Sequence, residues 1–330
     1  MDRNQELEYR GKLRKIMNRY LDKSRKFCEK YSVPDGLLDI MTFVYTDNNI
    51  PSELLYSAKL FNDFDYFVFS KSTKTLHAIR ALLNEQDYHF DEDIMMLVRS
   101  IFEGHLFSRY FRDKIDDDQN REELIEEFIR SPIGVITDYF SLKRNKVIDQ
   151  NSNLVAERKG PSKVKQGKDE NYYYYFYSYL CEFTHSNFGT MKHYFNGTHF
   201  IYDKQNLLLE PVLFSVFAFT KVFEGIATVQ GENFETFHVE KSYYELVYDA
   251  LDLQAEIFDY LIDKYKNSEP DKLDWIIQLY LSEGNPKGRN DKMVKMMGKM
   301  KNSLYEEIGS LKKNKQDNNG YLIRQYPYWD

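Results

Sequence analysis

Cysteine is scarce: the 330 residues hold two, Cys28 and Cys181. Two distant thiols make neither a disulfide framework nor a cysteine-rich zinc site, and a reducing, cytoplasmic setting is the simplest expectation. No long hydrophobic run is present. The most apolar stretch, Val212–Thr220, ends at Lys221, far short of the roughly 20 residues a membrane span needs, so it reads as a buried helix and no membrane is expected as a partner. The first residues are highly charged and carry no apolar core of a secretory signal.

The strong enzyme signatures are missing too. There is no Gly-x-x-x-x-Gly-Lys-[Ser/Thr] loop to cradle phosphates and no Gly-x-Ser-x-Gly elbow. Cys-x-x-Cys, His-Glu-x-x-His and His-x-x-x-His are equally absent, so no metal or cofactor is expected. The net charge of −7 excludes a generally basic nucleic-acid binder and leaves only a local basic face for that role.

What is present is a folded-protein composition, 42% hydrophobic and 29% charged, with 27 Tyr and 24 Phe against two Trp. Tyrosine joins an apolar ring to a polar tip, which suits the edge of a core or an interface. Apolar residues recur at helical spacing over 6–31, 71–83, 91–112, 122–142, 171–185, 211–229, 241–265, 271–281 and 290–311. The expected fold is all-α, a multi-helix bundle. A break is expected at Ser131-Pro132, an exposed loop over 145–169, and a long loop or small hairpin around 186–209. The aromatic start of the 171–185 segment leaves a strand as an alternative there. Three regions are expected: an N-terminal helical extension (1–50), a main bundle (51–268), and a basic helical C-terminal segment (269–330) with an aromatic tail.

Two polar signatures sit inside these apolar patterns. The first is Arg99-Ser100-Ile101-Phe102-Glu103-Gly104-His105; the second runs from Tyr177 through Cys181 and Glu182 to His185. Charges inside an apolar stripe are costly unless paired, so the two segments are expected to meet. Arg99 and Glu103, four apart, share a helix face: either a plain ion pair or an anion-binding arginine steered by its carboxylate. His105 falls about 240° around the helix from Arg99, so those two do not serve one ligand on a regular helix. His185 near a helix C-terminus reads as a capping cation or as an acid–base group. Cys181, on the same face as His185, reads as packing before nucleophile. His193 and His199 lie close by, without a spacing that supports a metal site.

The C-terminal stretch 286–315 carries nine Lys or Arg against three acids, a net of +6. Lys292, Lys295 and Lys299 on it are candidate phosphate contacts.

Together the two signatures resemble a bacterial family of helical domains of unknown function. Its members pair an Arg-Ser-x-x-Glu helix with a later Tyr-x-x-x-Ser-Glu-x-x-His helix. The corresponding residues here are Arg99, Ser100 and Glu103, then Tyr177, Cys181, Glu182 and His185, with Cys181 in place of the usual serine; the likeness covers about residues 55 to 230. The pattern is also distantly similar to HEPN domains, helical bundles found in toxin and phage-defence ribonucleases. That likeness implies Arg99 and His185 as catalytic groups of a metal-independent ribonuclease, Glu103 as an orienting group, RNA as a partner, and a homodimer with its site at the two-fold interface. The other reading is a non-catalytic binding protein whose Arg99, Glu103 and His185 form a fully buried structural network. The sequence leaves both standing.

Overall fold

The structure, a computed structural model, describes residues 3–30, 58–115, 123–165, 170–185, 188–195, 198–227, 241–269 and 288–317. The predicted helix over 271–281 and the aromatic tail of the C-terminal segment lie outside the described residues.

In chain order the described helices are α1 (Arg3–Lys30), α2 (Ala58–Asn84), α3 (Asp91–Ile115), α4 (Ser131–Ile136), α5 (Pro161–Val164), α6 (Glu170–Glu182), α7 (Glu210–Ala227), α8 (Lys241–Asn267) and α9 (Gly288–Asp317). A π-helical turn, Glu126–Arg130, runs directly into α4, and a 3₁₀ segment covers Phe188–Tyr194. The fold is thus an all-α multi-helix bundle with one small sheet.

α7 is the hub. From Leu209 to Ile226 every residue is buried, and α1, α2, α3 and α8 pack around the helix. A helix apolar on every side has no solvent face to offer and can only sit at a centre. Its buried hydroxyls are bonded within the bundle: Ser215 donates back to the Pro211 carbonyl at 2.6 Å, and Thr220 to Val216 at 2.7 Å. Thr220 Oγ1 also lies 3.0 Å from the Tyr20 hydroxyl of α1 and accepts from Gln254 Nε2 of α8 at 3.3 Å, so one buried polar knot joins three helices. Lys221 of α7 pairs with Glu307 of α9, both buried.

α1 falls in the predicted N-terminal extension and α9 in the predicted C-terminal segment. Both feed the same core as the main bundle: Leu13, Met17 and Tyr20 from α1, and Met296, Met297, Met300 and Leu304 from α9. α9 therefore splits its faces, methionines inward and lysines outward.

α2 and α3 are fastened by a buried ion pair. Arg112 donates to Asp65 Oδ2 from Nη2 at 2.7 Å and from Nε at 3.1 Å, and Ser108 donates to Asp65 Oδ1. Gly225 lets α7 come close to this pair, since a Cβ there would lie 3.0 Å from Arg112 Nη2.

The sheet lies elsewhere than the sequence suggested. β1 (Ser141–Lys143), β2 (Lys146–Ile148) and β3 (Leu154–Glu157) form an antiparallel meander within the stretch expected to be helix end and exposed loop. The β1–β2 turn has two residues, Arg144 and Asn145, with Arg144 at φ 60°. A positive φ at the first central position matches the twist of the flanking strands, a role glycine usually fills. The 186–209 region is mostly irregular, with the 3₁₀ segment and a single bridge, Phe195 to Phe200. The tyrosine-rich segment is helix, not strand.

Candidate functional site

α6 crosses α3 with one side and α9 with the other. Its core face carries Tyr172, Phe176, Leu180 and Phe183. A second stripe, Tyr173, Tyr177, Cys181 and Thr184, follows the 4-4-3 spacing of a helix side. Tyr173 and Tyr177 stack within it, with centroids 5.0 Å apart and planes at 11°.

The Arg99 side chain of α3 reaches this stripe. Its Nε donates to Glu103 Oε1 at 2.9 Å, Nη1 to the Thr184 hydroxyl at 2.7 Å, and Nη2 to the Tyr177 hydroxyl at 3.0 Å. Tyr177 in turn donates to Glu103 Oε1 at 2.7 Å. The guanidinium also lies over the Tyr177 ring, 5.2 Å from its centroid. The two signatures therefore meet, 74 to 85 residues apart in sequence.

The electrostatics are those of a neutralised pair. Burial is the largest single influence and works against the charged guanidinium, but Glu103, Cys181 and Tyr177 together outweigh it and raise the arginine's pKa. Burial and the same carboxylate push the Tyr177 phenol well up, so it stays a donor at neutral pH. Burial likewise raises the Cys181 thiol, and the nearby Arg99 only partly offsets this. That is the opposite of what a thiolate nucleophile requires.

The cluster is not sealed. The Arg99 and Glu103 side chains are 24% and 28% exposed. His185, next to Thr184, is exposed. The structure thus brings Arg99, Glu103 and the turn after α6 that leads to His185 to one place. His105 sits on α3 with its ring against Phe102, at 6.2 Å.

The basic helix α9 lies apart from this place. Lys295 and Lys299 both sit over the Tyr175 ring, at 5.0 Å. Tyr175 is two positions from Tyr177, about 200° around α6, so these lysines and Arg99 occupy opposite sides of that helix. Lys292 is exposed on α9.

His193 is buried elsewhere. Its Nδ1 lies 3.1 Å from Glu92 Oε1, and the Asn206 amide donates to both the His193 carbonyl and Glu92. This clasp fastens the 188–209 region to the start of α3, with Asp91 accepting the Asn206 and Leu207 amides at 2.9 Å each. His199 is exposed, beside the Thr198 hydroxyl. Among the described residues no group of three or more His, Cys, Asp or Glu is placed to hold a metal ion, and no helix is long and apolar enough to cross a membrane.

Thr184 is the partner of Arg99 that motif reading did not single out, whereas Tyr177 opens the second signature. The signal was the 173–177–181–184 stripe itself, which is polar-tipped beside an apolar face. No family model, curated protein or solved structure matches this chain.

Proposed function

We propose that the crossing of α3 and α6 is the centre of a metal-independent ribonuclease, with Arg99 and His185 as the groups that meet the substrate. One observation carries the reading: two polar signatures distant in sequence converge on a cluster that keeps access to solvent and ends at an exposed histidine. A purely structural network is expected to be buried throughout.

In this reading His185 removes the proton from a ribose 2′-hydroxyl, the 2′-oxygen attacks the adjacent phosphorus, and the bond to the 5′-oxygen breaks. The products are a 2′,3′-cyclic phosphate and a 5′-hydroxyl, the leaving oxygen taking its proton from an acid or water. Arg99 stabilises the charge on the phosphorane, and Glu103 and Tyr177 fix the guanidinium's position. The dimer implied by the HEPN resemblance belongs to the same proposal.

A non-catalytic binding role is the second reading. It is favoured by the three guanidinium nitrogens of Arg99, each of which already donates within the protein.

RNA integrity separates the two. Wild-type protein is expected to cleave RNA in the presence of a chelator. Arg99→Ala and His185→Ala, folded by circular dichroism, are expected to lose at least about 100-fold, the general acid–base range. Cleavage retained by folded His185→Ala, or none by wild type in any oligomeric state, rejects the nuclease.

A further inference from the structure

The other side of the Arg-Ser-x-x-Glu signature faces a cavity of about 280 Å³ between α2, α3 and the π-helical turn. Ser100, Glu103 and Gly104 line it, although Arg99 itself turns away towards α6. Four phenylalanines form its apolar walls: Phe64 and Phe67 of α2, Phe107 of α3, and Phe128 of the π turn. Phe128 packs edge-on against Phe64 at 5.6 Å and Phe107 at 5.8 Å. Phe67 is 61% exposed, a large apolar ring left in solvent at the mouth. Gly104 keeps the floor open and the helices close, since a Cβ there would sit 3.2 Å from Val68 Cγ1.

The polar groups are unevenly matched. Both acids in the wall are paired: Glu103 with Arg99, the Tyr177 hydroxyl also donating to it, and Glu127 with Lys159 at 2.9 Å. Two further cations, Lys71 of α2 and Arg158 beyond β3, line the cavity without a carboxylate partner among the described residues. The hydroxyls of Ser72 and Ser100 add hydrogen-bonding capacity, and Ser72 is buried. The π turn, a feature often found at functional sites, is what places Glu127 and Phe128 side by side in this wall.

Flat apolar walls with an excess of positive charge at the rim select a planar ring carrying an anionic group. The volume lies just below the usual range of ligand cavities, roughly 300–1,000 Å³, and suits one ring system with its charged substituent towards solvent. We propose that this cavity binds a nucleoside monophosphate, the base among Phe64, Phe67, Phe107 and Phe128 and the phosphate on Lys71 and Arg158. Base stacking on aromatic side chains tolerates any base, and the wall acids Glu103 and Glu127 accept from exocyclic amino groups. The inference does not need the nuclease reading: a nucleotide-binding protein without cleavage activity satisfies it equally.

Titration calorimetry with AMP, GMP, adenosine and inorganic phosphate tests it on the full chain. AMP or GMP is expected to bind saturably, adenosine at least about tenfold more weakly, and phosphate alone not measurably. Phe67→Ala, which alters an exposed ring, is expected to weaken AMP and adenosine alike by about fivefold or more. Lys71→Ala and Arg158→Ala are expected to weaken AMP while leaving adenosine unchanged. Thr75→Trp, which fills the cavity, is expected to abolish binding.

His185→Ala is expected to bind AMP as wild type does, so loss of cleavage and loss of binding report separately. No saturable binding of any nucleoside monophosphate at millimolar concentration overturns the proposal. Binding indifferent to Phe67→Ala and Thr75→Trp overturns it as well.

Discussion

The guanidinium of Arg99 donates to the hydroxyl of Thr184 across 2.7 Å, tying the middle of α3 to the last residues before His185. Thr184 itself donates to the Cys181 carbonyl at 2.9 Å, so its hydroxyl is held on both sides. Replacing Thr184 by valine keeps the shape and removes the acceptor. A hydrogen bond to a charged group contributes about 1.5–3 kcal/mol, and partial exposure places this one at the low end. The expected outcome is a loss of about 1–2 kcal/mol in urea unfolding, restored by Thr184→Ser. An unchanged midpoint for Thr184→Val would show that the contact contributes nothing.

Asp65 and Arg112 are a different case, because the aspartate is fully enclosed. Asp65→Ala removes the buried carboxylate that accepts two of the Arg112 hydrogen bonds between α2 and α3. The expected cost is about 3–5 kcal/mol, whereas the double change Asp65→Ala with Arg112→Leu is expected to be milder. A double variant less stable than the sum of the two single ones contradicts this account.

The Asp91 carboxyl has its pKa raised by burial, against the lowering effect of the Leu207 and Asn206 amides. A carboxyl with a raised folded-state pKa is protonated more readily in the fold than in the unfolded chain. Its contribution to stability is complete below the ordinary value of about 4 and is lost as pH rises through the folded-state value. Asp91→Asn carries no such titration. Its stability relative to wild type is therefore expected to rise across that acid window and then level off. A flat or falling difference in paired urea unfolding from acid to neutral pH sinks the prediction.

Cys181 is held as a thiol by burial. At neutral pH its alkylation by iodoacetamide, followed by peptide mass spectrometry, is expected to be slower than that of glutathione. Arg99→Ala removes the neighbouring cation that favours the thiolate, and in the folded variant the rate is expected to fall further. Faster labelling in that variant would instead mean that the region has opened.

Periodicity carried most of the helices. The patterns over 91–112, 211–229 and 290–311 correspond to α3, α7 and α9 with ends shifted by a few residues. The sheet was illegible for a physical reason. Its strands are three or four residues long, too short to display alternation, and Arg144 occupies the positive-φ turn position without the glycine or asparagine that would advertise it. At the site, the Arg99–Glu103 pair followed from helical spacing alone. Tyr177 and Thr184 did not, because which side of α6 faces α3 is decided by packing. The lysines of α9 looked like a companion to Arg99, yet its methionine face turns to the core and sets Lys295 and Lys299 on the far side of α6.

The hub position of α7 has a consequence for how the chain is made. Three helices that pack on it, α1, α2 and α3, precede it in the chain, and α3, the last of them, ends at Ile115, well before α7 begins at Glu210. Until residues 210–227 emerge, the surfaces of those helices that will enclose α7 have nothing to cover them. The nascent chain must pass that interval with its stickiest faces open, which is when chaperones meet their clients. A fragment ending before Glu210 would remain in that condition permanently.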